Sequence, residues 1–158
     1  ICEQRLMDEH IQLWEGDTVE FEHDIVDHNL NNLSWACHKY VNYAIREAID
    51  LLDIELDLTG SGKVDENKDI GRQARDKRMK KRRYAKQPLF WRSFAYFGYR
   101  YFLRGGFLDG RVGFIFNFLT AWWYRMLVDT KVYEIRQECG TDRSRIVAYV
   151  KSHYDISI

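Results

Sequence analysis

The spacing of apolar positions changes several times along the chain. Val19, Phe21 and His23 alternate with Glu20 and Glu22, a period of two that predicts a short half-buried strand. From Leu33 the period lengthens. Leu33, Tyr40, Tyr43, Ala44, Ala48, Leu51 and Leu52 return at helical spacing, with Asn32 or Ser34 as the cap. "LTGSGKVDENKD" has no apolar period and predicts a polar linker. "GRQARDKRMKKRRYAK" admits a helix that buries little. Pro88, the only proline, suits the first turn of the next helix, "PLFWRSFAYFGYRYFLR", which Gly105 and Gly106 break. A second aromatic helix runs from about Val112 to about Glu138, where "CGTD" stops it, and "RSRIVAYVKSHY" makes a short last helix. Residues 1–13 are mixed and fit a short helix.

Composition narrows the class. Aromatic residues make up 15% of the 158 residues and charged residues 30%, too apolar for a disordered chain and too charged for a multi-span membrane protein. The net charge of zero conceals an uneven layout. Residues 1–58 hold 14 Asp and Glu against 3 Lys and Arg, whereas residues 72–86 hold 9 Lys and Arg against Asp76 alone. An acidic part followed by a basic tract implies two different jobs. Cys2, Cys37 and Cys139 are far apart and show no zinc-ligand spacing, so free thiols in a reducing compartment are expected. The chain opens on Ile1, inside a polar pattern and with no signal-peptide features, which suggests the C-terminal part of a longer protein.

The aromatic half raises the question of what its rings and arginines face. Residues 89–103 are apolar or aromatic except at Arg92, Ser93 and Arg100, and residues 112–128 except at Asn117, Thr120 and Arg125. Neither run reaches the ~20 apolar residues of a spanning helix. Together they predict a monotopic hairpin at an anionic membrane surface. Trp91, Trp122 and Trp123 would settle at headgroup level, while Arg83, Arg92, Arg100 and Arg125 reach phosphate. The preceding tract would add ~1 kcal/mol per basic residue near an anionic leaflet. Two other readings stay open. One is a hairpin buried in a soluble bundle, its arginines paired to acids; the other is an RNA-binding patch on the basic run. Of these partners the membrane surface is expected, and nucleic acid is not.

The acidic half offers candidate chemistry. Asp8, Glu9 and His10 are adjacent, so they cannot all face one pocket, but one carboxylate can serve as a general base. His23 with Asp24 is a weak candidate for a divalent cation. On the residues alone, solvated surface acids and strand-end histidines account for these stretches more simply.

The order "RLMDEHIQLWEG…VEFEHDIVDHNLNNLSWACHKYVNYAIREAIDLL" resembles the C-terminal part of family 2 inverting glycosyltransferases. It is most similar to bacterial enzymes that build lipopolysaccharide cores and capsules. "KQPLFWRSFAYFGYRYFLRGGFLDGRVGFIFNFLTAWWYRMLVDTKVYE" resembles the tail of that group, in which a Gly-Phe-Leu-Asp-Gly turn joins aromatic helices. The resemblance runs from Arg5 to about Arg136. It implies a mainly α chain with a short β segment: the C-terminal piece of a GT-A α/β enzyme, then the hairpin. Residues 1–58 would be the acceptor side of the catalytic domain, 59–87 a polar then basic linker, and 88–158 the membrane-associating unit. It implies transfer from a nucleotide sugar to a lipid-linked glycan acceptor at the cytoplasmic face of the bacterial inner membrane, with Mg or Mn in the full-length enzyme. Glu9 or Asp8 would be the base, since the family's usual Glu-Asp order is reversed here, and His23 would lie near the diphosphate. The nucleotide-binding half is missing, with no Asp-x-Asp motif and no parallel β/α pattern. Arg46 and Glu47 are expected to form a structural ion pair, and Asp109 to cap a helix or pair with Arg104 or Arg111.

Overall fold

Six α-helices carry the fold in the computed structural model, which describes residues 28–59 and 72–158 together with positions 15–17, 19, 22, 23 and 26. The helices are α1 (Leu33–Leu56), α2 (Arg72–Ala85), α3 (Trp91–Gly98), α4 (Gly110–Asn117), α5 (Tyr124–Cys139) and α6 (Arg143–Tyr154). Two π-helical stretches, Tyr99–Leu103 and Phe118–Trp123, continue α3 and join α4 to α5. A 3-10 turn, Gly106–Asp109, connects the two arms.

The mainly α class is therefore seen. Among the described residues no strand is present: Val19, on the face expected to be buried, is 83% exposed, and His23 is exposed. A lone strand has no ladder to join here. Glu20 and Phe21 lie outside the described residues.

Local chemistry sets the helix ends. The Asn32 side chain accepts the Trp35 N–H at 3.0 Å, starting α1 as expected. Asp57 ends it in a left-handed conformation, its N–H bonded to Asp53 O at 2.7 Å. Asp142 starts α6 by accepting from the Ser144 and Arg145 N–H groups.

One core forms where the apolar stripes meet. Ala44, Ala48, Leu51 and Leu52 line one face of α1; Val128, Val132, Ile135 and Cys139 repeat at intervals of three and four on α5; Ile146 and Val150 come from α6. Side chains such as Ile49, Leu52, Ile135 and Ile146 are fully buried, each contributing ~1.5–3 kcal/mol. The core thus crosses the boundary drawn at residue 58. Residues placed in two separate units share one interior, because neither α1 nor α5 can bury its stripe alone.

Cross-helix contacts fix the directions. Tyr40 meets Trp123 and Tyr124, Glu47 meets Arg125, and Glu55 meets Arg136. Numbers rise together, so α1 and α5 run parallel. The two arms joined by the 3-10 turn are antiparallel, since Tyr101 meets Phe114 while Phe94 meets Trp122. Gly110 lies thirteen residues before Trp123 and Leu33 only seven before Tyr40. The hairpin turn therefore extends past the start of α1.

Candidate functional site

The overhanging hairpin begins with its glycines. Gly105 and Gly110 adopt φ values of 73° and 61°, which reverse the chain at little steric cost. At Gly113 the reason is proximity. A Cβ there would stand 2.3 Å from Gly106 O and 2.6 Å from Asp109 Cβ, so only glycine lets the arms approach this closely. Beside it, buried Asn117 donates from Nδ2 to Gly113 O at 2.8 Å.

A chain of rings then ties the arms together. Trp91 neighbours Phe94 at 6.3 Å, Phe94 neighbours Trp122 at 5.4 Å, and Trp122 neighbours Phe118 at 5.0 Å. Phe118 leads to Phe114 at 5.9 Å, Phe114 to Tyr101 at 5.8 Å, and Tyr101 to Phe107 at 6.4 Å. Tilted and edge-on pairs of this kind contribute ~0.5–1.5 kcal/mol each beyond area burial.

These rings leave much apolar surface outside. Trp91 is 75% exposed, Leu103 79% and Leu108 76%, and Phe102, Val112, Ile115 and Phe116 are all exposed. The bundle also leaves some apolar side chains outside, among them Leu33, Trp35, Val41 and Ile54 on α1, but the most exposed of the hairpin, Trp91, Leu103, Leu108 and Val112, stand out further. A contiguous apolar surface of this kind marks an interaction site. Its charge is mostly positive: Arg104 and Arg111 are exposed, and half-buried Arg100 stands 5.6 Å over the Phe116 ring, against Asp109 alone in the turn. Among the described residues, no helix is long and apolar enough to cross a membrane.

The root of the hairpin corrects one expectation. Arg92 does not reach outward: it is 5% exposed and bound to fully buried Asp129. Its Nε donates to Asp129 Oδ1 at 2.7 Å, its Nη2 donates to the same oxygen, and its Nη1 donates to Tyr84 O and Ala85 O at 3.3 and 3.2 Å. The carboxylate also accepts the Phe90 N–H at 2.8 Å and the Ser93 hydroxyl at 3.0 Å. A buried guanidinium needs a partner more than it needs distant phosphate. Phe90 holds a positive φ of 69° where its N–H meets Asp129.

Arg125 likewise turns inward. It donates to Glu47 Oε1 at 3.4 Å and lies 5.3 to 5.5 Å from the Tyr84, Tyr96 and Tyr124 ring centroids. Glu47 therefore serves Arg125, and Lys81 at 3.2 Å, rather than exposed Arg46. Sequential helix neighbours point apart, which excludes the expected pairing. Lys81 also reaches Asp50 at 2.5 Å, clamping α2 to α1. Burial, reinforced by Asp129, pushes the Tyr84 phenol up; Arg125 and Arg92 oppose it. Asp109 occupies the position before α4, but its side chain makes no capping bond.

Of the other predicted residues, Arg83 and Trp91 are exposed. Trp122 is half-buried between Phe94 and Phe118, and Trp123 is half-buried edge-on to Tyr40. Asp8 and Glu9 lie outside the described residues. His23 is described, and is exposed. Among the described residues no group of three His, Cys, Asp or Glu side chains could hold a metal ion. Cys37 and Cys139 are free thiols, and burial pushes the Cys139 thiol up. Sequence reasoning missed Asp129. The available signal was one acid at the edge of an apolar run, matched by one arginine inside the other run. Comparison of the chain with protein-family models, curated proteins and solved structures gives no match.

Proposed function

We propose that this chain is the acceptor-side part of an inverting family 2 glycosyltransferase, held at a membrane interface by its hairpin. The observation that supports the reading is the exposed, apolar and arginine-bearing hairpin that extends from the helical core. The sequence resemblance supplies the reaction class. Glu9 or Asp8 would accept the proton of an acceptor hydroxyl as its oxygen attacks the anomeric carbon. The bond to the leaving nucleoside diphosphate breaks on the opposite face, which inverts that centre. Mg or Mn in the full-length enzyme would neutralise the leaving diphosphate. A hairpin seated at the cytoplasmic face of the inner membrane would hold the base over a lipid-linked glycan.

The alternative is a non-catalytic helical module that binds a membrane surface or RNA. The basic tract gives up Lys81 to Glu47 and Asp50, leaving Lys80, Arg82 and Arg83 exposed. The test of the enzyme reading is sugar transfer by the full-length protein to a lipid-linked acceptor. Glu9→Gln or Asp8→Asn should abolish transfer with folding retained, and undiminished turnover by both variants refutes the assignment.

A further inference from the structure

The hairpin tip holds an open groove of about 500 Å³, lined by Tyr101, Phe107, Gly110, Arg111, Phe114 and Ile115. It is a shallow, open depression whose lining is mostly apolar. Three rings and an isoleucine form apolar walls. Gly110 presents no side chain, and a Cβ built there would meet nothing within 4 Å, so the groove stays open at that edge. Arg111 is the one charged lining residue. Asp109, the acid of the turn, is not in the lining; its Cβ faces Gly113. Leu108 and Val112, sequence neighbours of the lining residues Phe107 and Arg111, are exposed.

We infer that this groove holds one acyl chain of an anionic phospholipid, with the lipid phosphate on the Arg111 guanidinium. This rests on the interfacial seating proposed above, which brings the overhanging tip to the lipid first. Apolar walls without a hydrogen-bonding side chain other than the Tyr101 hydroxyl suit a hydrocarbon chain, and a single guanidinium at the edge suits one phosphate. An anionic headgroup above a chain supplies both at the spacing of one molecule. A free phosphate would leave the apolar walls wet.

The test uses the whole chain titrated with monomeric lauroyl lysophosphatidylglycerol, below its micelle concentration, followed by tryptophan fluorescence and native mass spectrometry. Saturable binding of one lipid per chain is expected. Arg111→Gln should weaken it roughly tenfold, the loss of one charge-assisted contact. Ile115→Trp, which fills the groove from a half-exposed position, should weaken it at least as much. Circular dichroism confirms that both variants fold. Unchanged affinity in both overturns the inference, as does inorganic phosphate competing at the concentrations at which the lipid binds. Sedimentation of the unmodified chain with phosphatidylglycerol vesicles reports on the seating separately. Failure to sediment while the lysolipid still binds sinks the seating alone; sedimentation with lysolipid binding indifferent to both substitutions sinks the groove alone.

Discussion

Replacing Asp129 by asparagine should open the root of the hairpin before it disturbs the bundle. The carboxylate is fully buried and accepts from Arg92 Nε and Nη2, the Phe90 N–H and the Ser93 hydroxyl. Asparagine keeps the shape but removes the charge, and its NH2 must face donors. Breaking one side of a buried pair costs ~3–5 kcal/mol, because the other charge is left stranded. Arg92→Met should cost a similar amount: it strands the carboxylate and frees the Tyr84 and Ala85 carbonyls. The double variant Arg92→Met, Asp129→Leu removes both charges and strands the Phe90 N–H, the Ser93 hydroxyl and the Ala85 carbonyl, at ~1–3 kcal/mol for each group left buried, while Tyr84 O keeps the Gln87 N–H. Its cost should therefore fall short of the sum of the two singles, because neither charge is left stranded. Urea unfolding followed by circular dichroism measures each value from the shift in midpoint at constant slope. Hydrogen exchange should show residues 88–103 losing protection ahead of residues 33–56. An Asp129→Asn cost within ~1 kcal/mol of zero, or strict additivity in the cycle, would mean that Arg92 is not desolvated. The guanidinium would then be free to face phosphate, and the assignment made at the hairpin root would be wrong.

Two further outcomes follow from the geometry. Gly113→Ala places a methyl against the Gly106 carbonyl and should destabilise the turn by ~1–3 kcal/mol, whereas Gly98→Ala, with nothing within 4 Å, should be neutral or stabilising; thermal melts of both decide this. Asp142 caps α6, and hydrogen bonds from the Ser144 hydroxyl and the Arg145 N–H hold its carboxyl below the ordinary carboxylate range. Its folded-state value lies below the unfolded one, so its stabilisation is complete above the ordinary value of about 3.9 and is lost as pH falls through the lowered value. The amide shifts of Ser144 and Arg145 should follow that loss, and Asp142→Asn, which keeps the cap without a titrating group, should flatten the profile; a wild-type profile that is already flat counts against the cap.

Much of the helical layout was legible, for a physical reason. The stripe through Ala44, Ala48 and Leu52 has a period, and a period survives without knowing its partner. The Asn32 cap and the glycine break at residues 105 and 106 are equally local signals. The π-helical stretches were not legible. In "FLTAWW" nearly every position is apolar, so no alternation remains to distinguish one helical pitch from another. The fates of Arg92 and Arg125 were invisible because their partners, Asp129 and Glu47, lie 37 and 78 residues away in sequence. An arginine among rings reads as outward-reaching until the acid that holds it is located. The same distance hid the shared core of α1 and α5, since a polar linker looks like a boundary whether or not the helices beyond it fold back. For the candidate site, the residues expected at a membrane interface did not include the exposed tip: of those named only Arg83 and Trp91 are exposed, and Asp8 and Glu9 lie outside the described residues.

The two wide turns, Tyr99–Leu103 and Phe118–Trp123, leave a mark on how this chain can change length. A π-helical turn is an ordinary helix that has taken in an extra residue. Each residue of an α-helix advances the winding by about 100°. Losing one residue from "FLTAWW" would let that arm relax to plain helix, yet it would swing Phe114 and Phe118 around the axis, away from Tyr101 and Trp122. The outward face of the tip and the anchored face at Asp129 are thus phased to one another by a surplus residue in each arm. Insertions and deletions there act as a dial on orientation.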